Sequence, residues 1–335
     1  MGIATLGDKG QLGPSMDTRF HGDRHDAVIV GGGPAGLSAA ISLARARRSV
    51  ALFASPHPGR SDWGQRNHNY LGFPDGISIV DLCARGRAQA ERFGARIHDV
   101  AVETVVRDEH GFTVTAGGTT HHGRGLILAT GVTDKWVRFP GHEEYIGRTM
   151  HWCITCDGYE MQHQRVLVVG NDAGTAELAL QLLRFNPTSV TVLTNSSDAD
   201  VPLAQVEDLR CHGIDLVVDC LVEARPRATG CFEAVLLAGG GEFPLDHLFS
   251  AQGAEPNARL AVALGADLTE GGYIKVDDEA RTSVAGVYAA GDVTSLFSHQ
   301  VLTAAHEGAT AAASLVYALY QQDKEVPRAQ PILSR

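Results

Sequence analysis

A chain of 335 residues is long for one core and predicts two domains, or one domain carrying a large insertion. Hydrophobic residues make up 44% and charged residues 20%, the balance of a folded protein, which excludes a disordered chain. A formal charge of -11 without a basic cluster excludes a nucleic-acid partner, and no apolar run reaches the roughly 18 to 20 residues of a membrane-spanning helix.

Residues 1–24 carry Gly, Asp and Pro where a secretory leader has an apolar stretch, so they read as a loose arm of a cytoplasmic protein. Residues 25–55 follow as buried strand, glycine turn, Ala-rich helix and second strand, one βαβ unit. Gly31, Gly33 and Gly36 fit G-x-G-x-x-G: a tight turn, close backbone approach to a pyrophosphate, and helix packed on strand. The helix start then faces the anion. The acid that holds a ribose about 20 residues further on is missing, since "ALFAS" ends at Ser55.

"GLILATGV" (125–132) reads as an apolar strand with a tight exit, and His121 with His122 as a separate hairpin-like stretch before it. "HWCITCDGYE" (151–160) places Cys153 and Cys156 two residues apart with Asp157 behind them. Zinc needs four ligands, usually a second C-x-x-C or a His pair, and Cys83, Cys211, Cys220 and Cys231 stand alone; no metal is expected. Inert core thiols are disfavoured by flanking Trp, Thr, Asp and Gly. Two cysteines at the start of a helical turn can instead close a disulfide, and the turn's dipole lowers a thiol pKa, which predicts a working dithiol. Asp157 then acts on a thiol proton or caps the helix. His151, His299 and His306 are candidate proton shuttles or structural side chains, and Trp63 and Trp152 stack on a ring or pack in the core.

Residues 164–200 repeat the strand, turn, helix, strand plan. Here Asp172 replaces the second glycine and sets a carboxylate against an anion, and Thr194, Asn195, Ser196, Ser197, Asp198 and Asp200 stand where an NADP site needs Arg. "GVYAAGDVT" (286–294) predicts a strand ending on Gly-Asp, and 299–320 a buried helix whose start points toward any nucleotide bound at that domain. The resulting fold class is α/β, with two Rossmann-like domains, the second inserted into the first. The spans are an arm over 1–24, a nucleotide domain over 25–138 and 257–325, an insertion over 139–256 and a tail over 326–335.

Over residues 25–320 the motifs "GGGPAG", "HNYLGFPDG", "ATG", "CITCDG", "GGYIKV", "GVYAAGDV" and "HQVLTAAHEG" appear in an order that resembles the low-molecular-weight thioredoxin reductases. That resemblance implies a homodimeric FAD enzyme. It assigns Gly31, Gly33, Pro34, Ala35 and Gly36 to the pyrophosphate turn, Asn69, Thr130 and Gly131 to contacts along the cofactor, and Gly291 and Asp292 to the ribityl chain. His299, Gln300 and Val301 fall beside the isoalloxazine ring. Cys156 becomes the flavin-facing thiol, Cys153 the exchanging one and Asp157 the acid; of the three histidines, chain order makes His299 the preferred proton shuttle.

Three departures, "GNDAGT", the Thr194–Ser196 segment and His299 in place of an Arg, resemble branches that kept flavin and disulfide but dropped NADPH. These include diflavin-linked disulfide oxidoreductases and dithiol oxidases. Expected partners are a thioredoxin-like protein or a small dithiol or disulfide, with a protein, quinone, oxygen or second flavin at the other end of the electron path. A conventional NADPH-dependent thioredoxin-disulfide reductase and a non-enzymatic flavin sensor stay open beside that reading.

Overall fold

The computed structural model describes residues 23–57, 59–294 and 299–325. Residues 1–22 of the expected arm and the tail over 326–335 lie outside the described residues, and the first strand already begins at Arg24.

The run of buried apolar residues in Arg24–Val30 forms a central strand. Such continuous runs suit a parallel strand covered on both faces. Among the described residues its sheet has seven strands, in the order Arg96–His98, Val50–Phe53, Arg24–Val30, Thr119–Leu128, Gly111–Ala116, Val102–Asp108, with Val287–Ala289 also paired to Thr119–Leu128. Parallel register matches Val30 with both Phe53 and Leu128. The three strands therefore end at one edge, where Gly31, Ala54 and Ala129 follow. Ligands of open α/β sheets sit beyond this carboxyl edge.

Two expectations change here. The strand read as 125–132 runs over Thr119–Leu128, and His121 and His122 belong to its first half, paired with Val114 and Thr113. His121 is buried against the rings of Phe53 and His98, at 4.9 and 5.1 Å between centroids, and the hairpin-like stretch read around it is the antiparallel pairing of Gly111–Ala116 with this strand, which continues into the sheet. The strand read over 286–294 is confined to Val287–Ala289, and the chain turns at Gly291 with φ +79°.

The Ala-rich helix Pro34–Arg45 buries Ala35, Leu37, Ala39, Ala40 and Leu43 on the sheet. Its small side chains let helix Val301–Glu325 approach closely, with the Ser38 hydroxyl donating to the Ala305 carbonyl at 2.6 Å. Gly308 sits where any Cβ would collide with the Ala35 carbonyl oxygen. Leu43, Leu315 and Leu319 close this core, each contributing about 1.5–3 kcal/mol by burial.

A second sheet is parallel throughout, in the order Met150–His151, His247–Ser250, Arg165–Val169, Ser189–Leu193, Asp215–Val217. Helix Ala173–Leu182 follows the strand Arg165–Val169 as the internal repeat predicts. The strands Leu221–Ala228, Cys231–Leu237 and Glu242–Pro244 form an antiparallel sheet beside it in sequence. The connections between the two parallel sheets run side by side, Val132–Asp134 pairing with Ala254–Pro256. Both sheets, with their helices, have the α/β layout of Rossmann-like units.

Candidate active site

At the carboxyl edge of the first sheet lies a cavity of about 1060 Å³. It begins at the first glycine turn. Gly31 has φ +122°, and a Cβ there would collide with the Ala129 carbonyl oxygen, so only glycine fits. Gly33 caps the helix Pro34–Arg45 without a side-chain hydrogen bond, and Pro34 fills the first turn, where its missing N–H costs nothing. The helix start is thus open to an anion. Gly33, Pro34 and Ala35 line the cavity, whereas Gly36 stays behind them, its Cα against the Gly31 carbonyl and Ile29. Gly36 serves the packing that lets the turn form.

Thr130, Gly131, Gly291, Asp292, His299, Gln300 and Val301 also line this cavity. Asp292 is held by Arg60, whose guanidinium reaches its carboxylate at 2.8 Å while its other arms grip Asp134 at 2.6 and 2.9 Å. Glu307 accepts from the Gly291 N–H at 2.7 Å and fixes the turn that carries Asp292. Burial raises the Glu307 pKa, with that N–H opposing the shift. Burial also lowers the pKa of His299, against the pull of Asp292. His299 Nε2 and Glu307 Oε1 are buried without a hydrogen-bond partner. An open helix start and the orphaned His299 Nε2, both on the cavity, fit a dinucleotide with a polar ring head.

The dithiol closes the far end. Cys153 and Cys156 form a disulfide with Cα atoms 5.2 Å apart, at the start of the short helix Ile154–Asp157. Cys156 and Trp152 line the cavity; Cys153 does not. The Gln300 amide donates toward both sulfurs at 3.4 Å and to the Thr155 hydroxyl at 2.9 Å. Asn69 lies away from the large cavity, in a neighbouring one of about 300 Å³, where its amide donates to Gln300 Oε1 at 2.8 Å. Its position orients the glutamine that touches the disulfide.

Asp157 is 8% exposed and makes no helix-capping hydrogen bond, which leaves the capping role unfilled. Its Oδ1 lies 3.5 Å from His151 Nδ1 instead. Trp152 packs edge-on against Trp136, and Trp63 does the same, so the tryptophans build core here, with Trp152 also walling the cavity. His306 does not line it.

The second glycine turn is built differently. Asp172 is the N-cap of helix Ala173–Leu182, and its Oδ1 accepts from the Thr175 N–H at 2.8 Å and the Thr175 hydroxyl at 2.7 Å. Asn171 ties the turn to the acidic loop, donating to the Asp198 carbonyl at 3.0 Å and accepting from the Asp200 N–H at 2.8 Å. Asn195 accepts from the Leu221 N–H at 2.9 Å. A carboxylate thus occupies the place where the first turn offers free N–H groups.

The motifs missed Arg60, Asp134 and Glu307. Their only signal was "HEG", which places Glu307 one helical turn after Thr303 and leaves its partner unnamed.

Residues 25–312 match the model of the pyridine nucleotide-disulphide oxidoreductase family. The thioredoxin reductase of Mycolicibacterium smegmatis is 32% identical over 306 residues, 89% of this chain and 98% of that protein. That of Treponema pallidum (strain Nichols) is 33% identical over 295 residues, 86% and 95% of the two chains. Among solved structures, the thioredoxin reductase from Streptococcus pyogenes MGAS5005 superimposes with a TM-score of 0.82 at 26% identity, covering 89% of this chain and 99% of that one. With its glycine turn, its large cavity and its disulfide, the chain belongs to the pyridine nucleotide-disulphide oxidoreductase family, as an FAD-dependent oxidoreductase of the low-molecular-weight thioredoxin reductase-like kind.

Proposed function

We propose that this chain oxidises an external dithiol, a small molecule or a thioredoxin-like protein, through Cys153–Cys156 and FAD without using NADPH. The observation that carries the reading is the Asp172 cap, which spends the second helix start on the chain's own carboxylate. FAD would be held by Gly31, Gly33 and Pro34 at its pyrophosphate, by Asp292 and by His299, Gln300 and Val301, and it would supply a two-electron acceptor. Residues 25–138 and 257–325 serve as its domain and 139–256 as the insertion, in a cytoplasmic homodimer.

In the chain's own chemistry, a substrate thiolate attacks the Cys153 sulfur and Cys156 leaves as a thiolate. The second substrate thiol then attacks the mixed disulfide. The substrate closes its S–S bond, and the two protein thiols carry its electrons. Asp157 holds the proton that the leaving thiolate takes, while Gln300 keeps both sulfurs in place by its amide. An external acceptor, dioxygen or a quinone, takes the pair of electrons at the end.

The names of the relatives favour a second reading, an NADPH-dependent thioredoxin-disulfide reductase. Cysteine variants test the first. Cys156→Ser abolishes bleaching of FAD by dithiol, and Cys153→Ser retains a long-wavelength flavin–thiolate absorption while losing exchange with the substrate. Rapid bleaching by dithiol in Cys156→Ser contradicts the assignment.

A further inference from the structure

Behind the disulfide, on the second sheet, two histidines meet. His151 ends the strand Met150–His151 and His247 begins the adjacent strand His247–Ser250. His151 Nε2 lies 2.9 Å from His247 Nδ1, while the other nitrogen, Nδ1, lies 3.5 Å from Asp157 Oδ1. His151 is 4% exposed, and its Nδ1 and Asp157 Oδ2 have no hydrogen-bond partner. His247 is half-buried. The groups form one chain, the Asp157 carboxyl, the His151 imidazole on the edge strand and the His247 imidazole on the strand beside it, which is the partly exposed member. Two buried polar groups, His151 and Asp157, without a saturating network are costly to keep, so their retention calls for a role.

We infer that His151 and His247 are a proton relay behind Asp157, passing one proton inward each time the Cys153–Cys156 bond opens. The deduction rests on the dithiol reading only for Asp157 as the acid that protonates the leaving thiolate.

The protons balance as follows. Asp157 gives its proton to the departing Cys156 thiolate. His151 passes its Nδ1 proton to Asp157, takes one at Nε2 from His247 Nδ1, and His247 takes one from solvent at Nε2. Both imidazoles stay neutral and exchange tautomer, so one proton enters and one leaves. For His247 the setting itself disfavours the charged form. Burial first, and His151 next, lower the His247 pKa to about 4; Asp246 and Asp157 oppose this and Arg227 assists it. Asp246 is itself held by Arg165 at 2.9 Å, which leaves it a weak partner for His247.

The test follows opening of the disulfide by dithiothreitol in the anaerobic FAD-loaded protein, counting the protein's thiols after acid quench and removal of the reductant. His247→Ala slows opening about 100-fold, the lower end of what a placed acid–base group contributes, and added imidazole restores the rate. His247→Gln keeps a hydrogen bond but passes no proton, so it is as slow as the alanine variant. A glutamine variant at the unmodified rate, or no rescue by imidazole, overturns the relay. A measurement free of substitutions is the rate of the unmodified protein in mixtures of light and heavy water: a bowed plot is expected, and a straight one overturns the relay. Flavin absorbance on the same samples reports separately on the dithiol reading. Thiols that appear without bleaching refute that reading and leave the relay standing.

Discussion

The turns after Val30 and after Val169 share one plan, strand into glycine turn into Ala-rich helix, yet they treat the helix start in opposite ways. The first leaves its N–H groups uncapped above a cavity of about 1060 Å³; the second fills the same position with the Asp172 carboxylate. A helix N-terminus is an anion site only while the chain itself brings no anion. For a phosphate to take the second start, it would displace a cap worth about 0.5–2 kcal/mol. It would also sit near a like charge, a penalty of about 4 kcal/mol at 4 Å and an effective dielectric of about 20. Together these weaken binding by roughly a thousandfold or more, at about 1.4 kcal/mol per tenfold. A dinucleotide is thus favoured at the first turn and opposed at the second.

The largest expected effect breaks the first turn. Gly31→Ala adds a Cβ into the Ala129 carbonyl at φ +122° and yields a protein with no bound FAD, read as flavin absorbance per chain. Near-full flavin occupancy would remove the basis of the comparison.

Acid comes next and acts on both halves. His25, in the central strand of the first sheet, and His247, on the second, both have pKa values lowered from 6.5 to about 4, chiefly by burial. For a base with a lowered folded pKa, the unfolded chain binds the proton first. The stability they contribute is complete above about 6.5 and is lost as pH falls toward 4. Unfolding midpoints at pH 7 and 4.5 should therefore differ, the acid one lower; equal midpoints contradict the burial of both rings.

At the second turn, Asp172→Ala removes the cap and costs about 1 kcal/mol by denaturant titration, with flavin content unchanged. Loss of FAD in this variant would show that the two turns are not independent. The smallest effect is a gain. Gly174→Ala sets its new methyl 3.5 Å from Asp172 Oδ1, ordinary contact inside a helix, and adds about 0.5 kcal/mol. A destabilised protein would mean that the second turn needs its glycine for close approach after all.

Both turns were legible in sequence because each is a local unit: strand, breaker and helix fall within some 30 residues, and Asp172 declares its charge. The C-x-x-C was legible for the same reason. What was hidden is what the fold joins across distance. Arg60 reaches Asp292, Asn69 reaches Gln300 and His151 reaches His247, pairs separated by 232, 231 and 96 residues. Nothing in local pattern links them. That the hairpin-like stretch over His121 and His122 continues into the sheet was hidden for another reason, since His121 is buried by rings from other strands. The resemblance put Asn69 beside the cofactor; its amide donates to Gln300, which itself lines the large cavity.

The comparison of the two turns is tested most directly by anaerobic titration of the FAD-loaded protein, followed at the flavin band, with NADPH and separately with dithiol. Stoichiometric dithiol should bleach the flavin while NADPH leaves it yellow. Bleaching by one equivalent of NADPH would mean that the Asp172 turn still admits the nucleotide, and the account would be wrong at its centre.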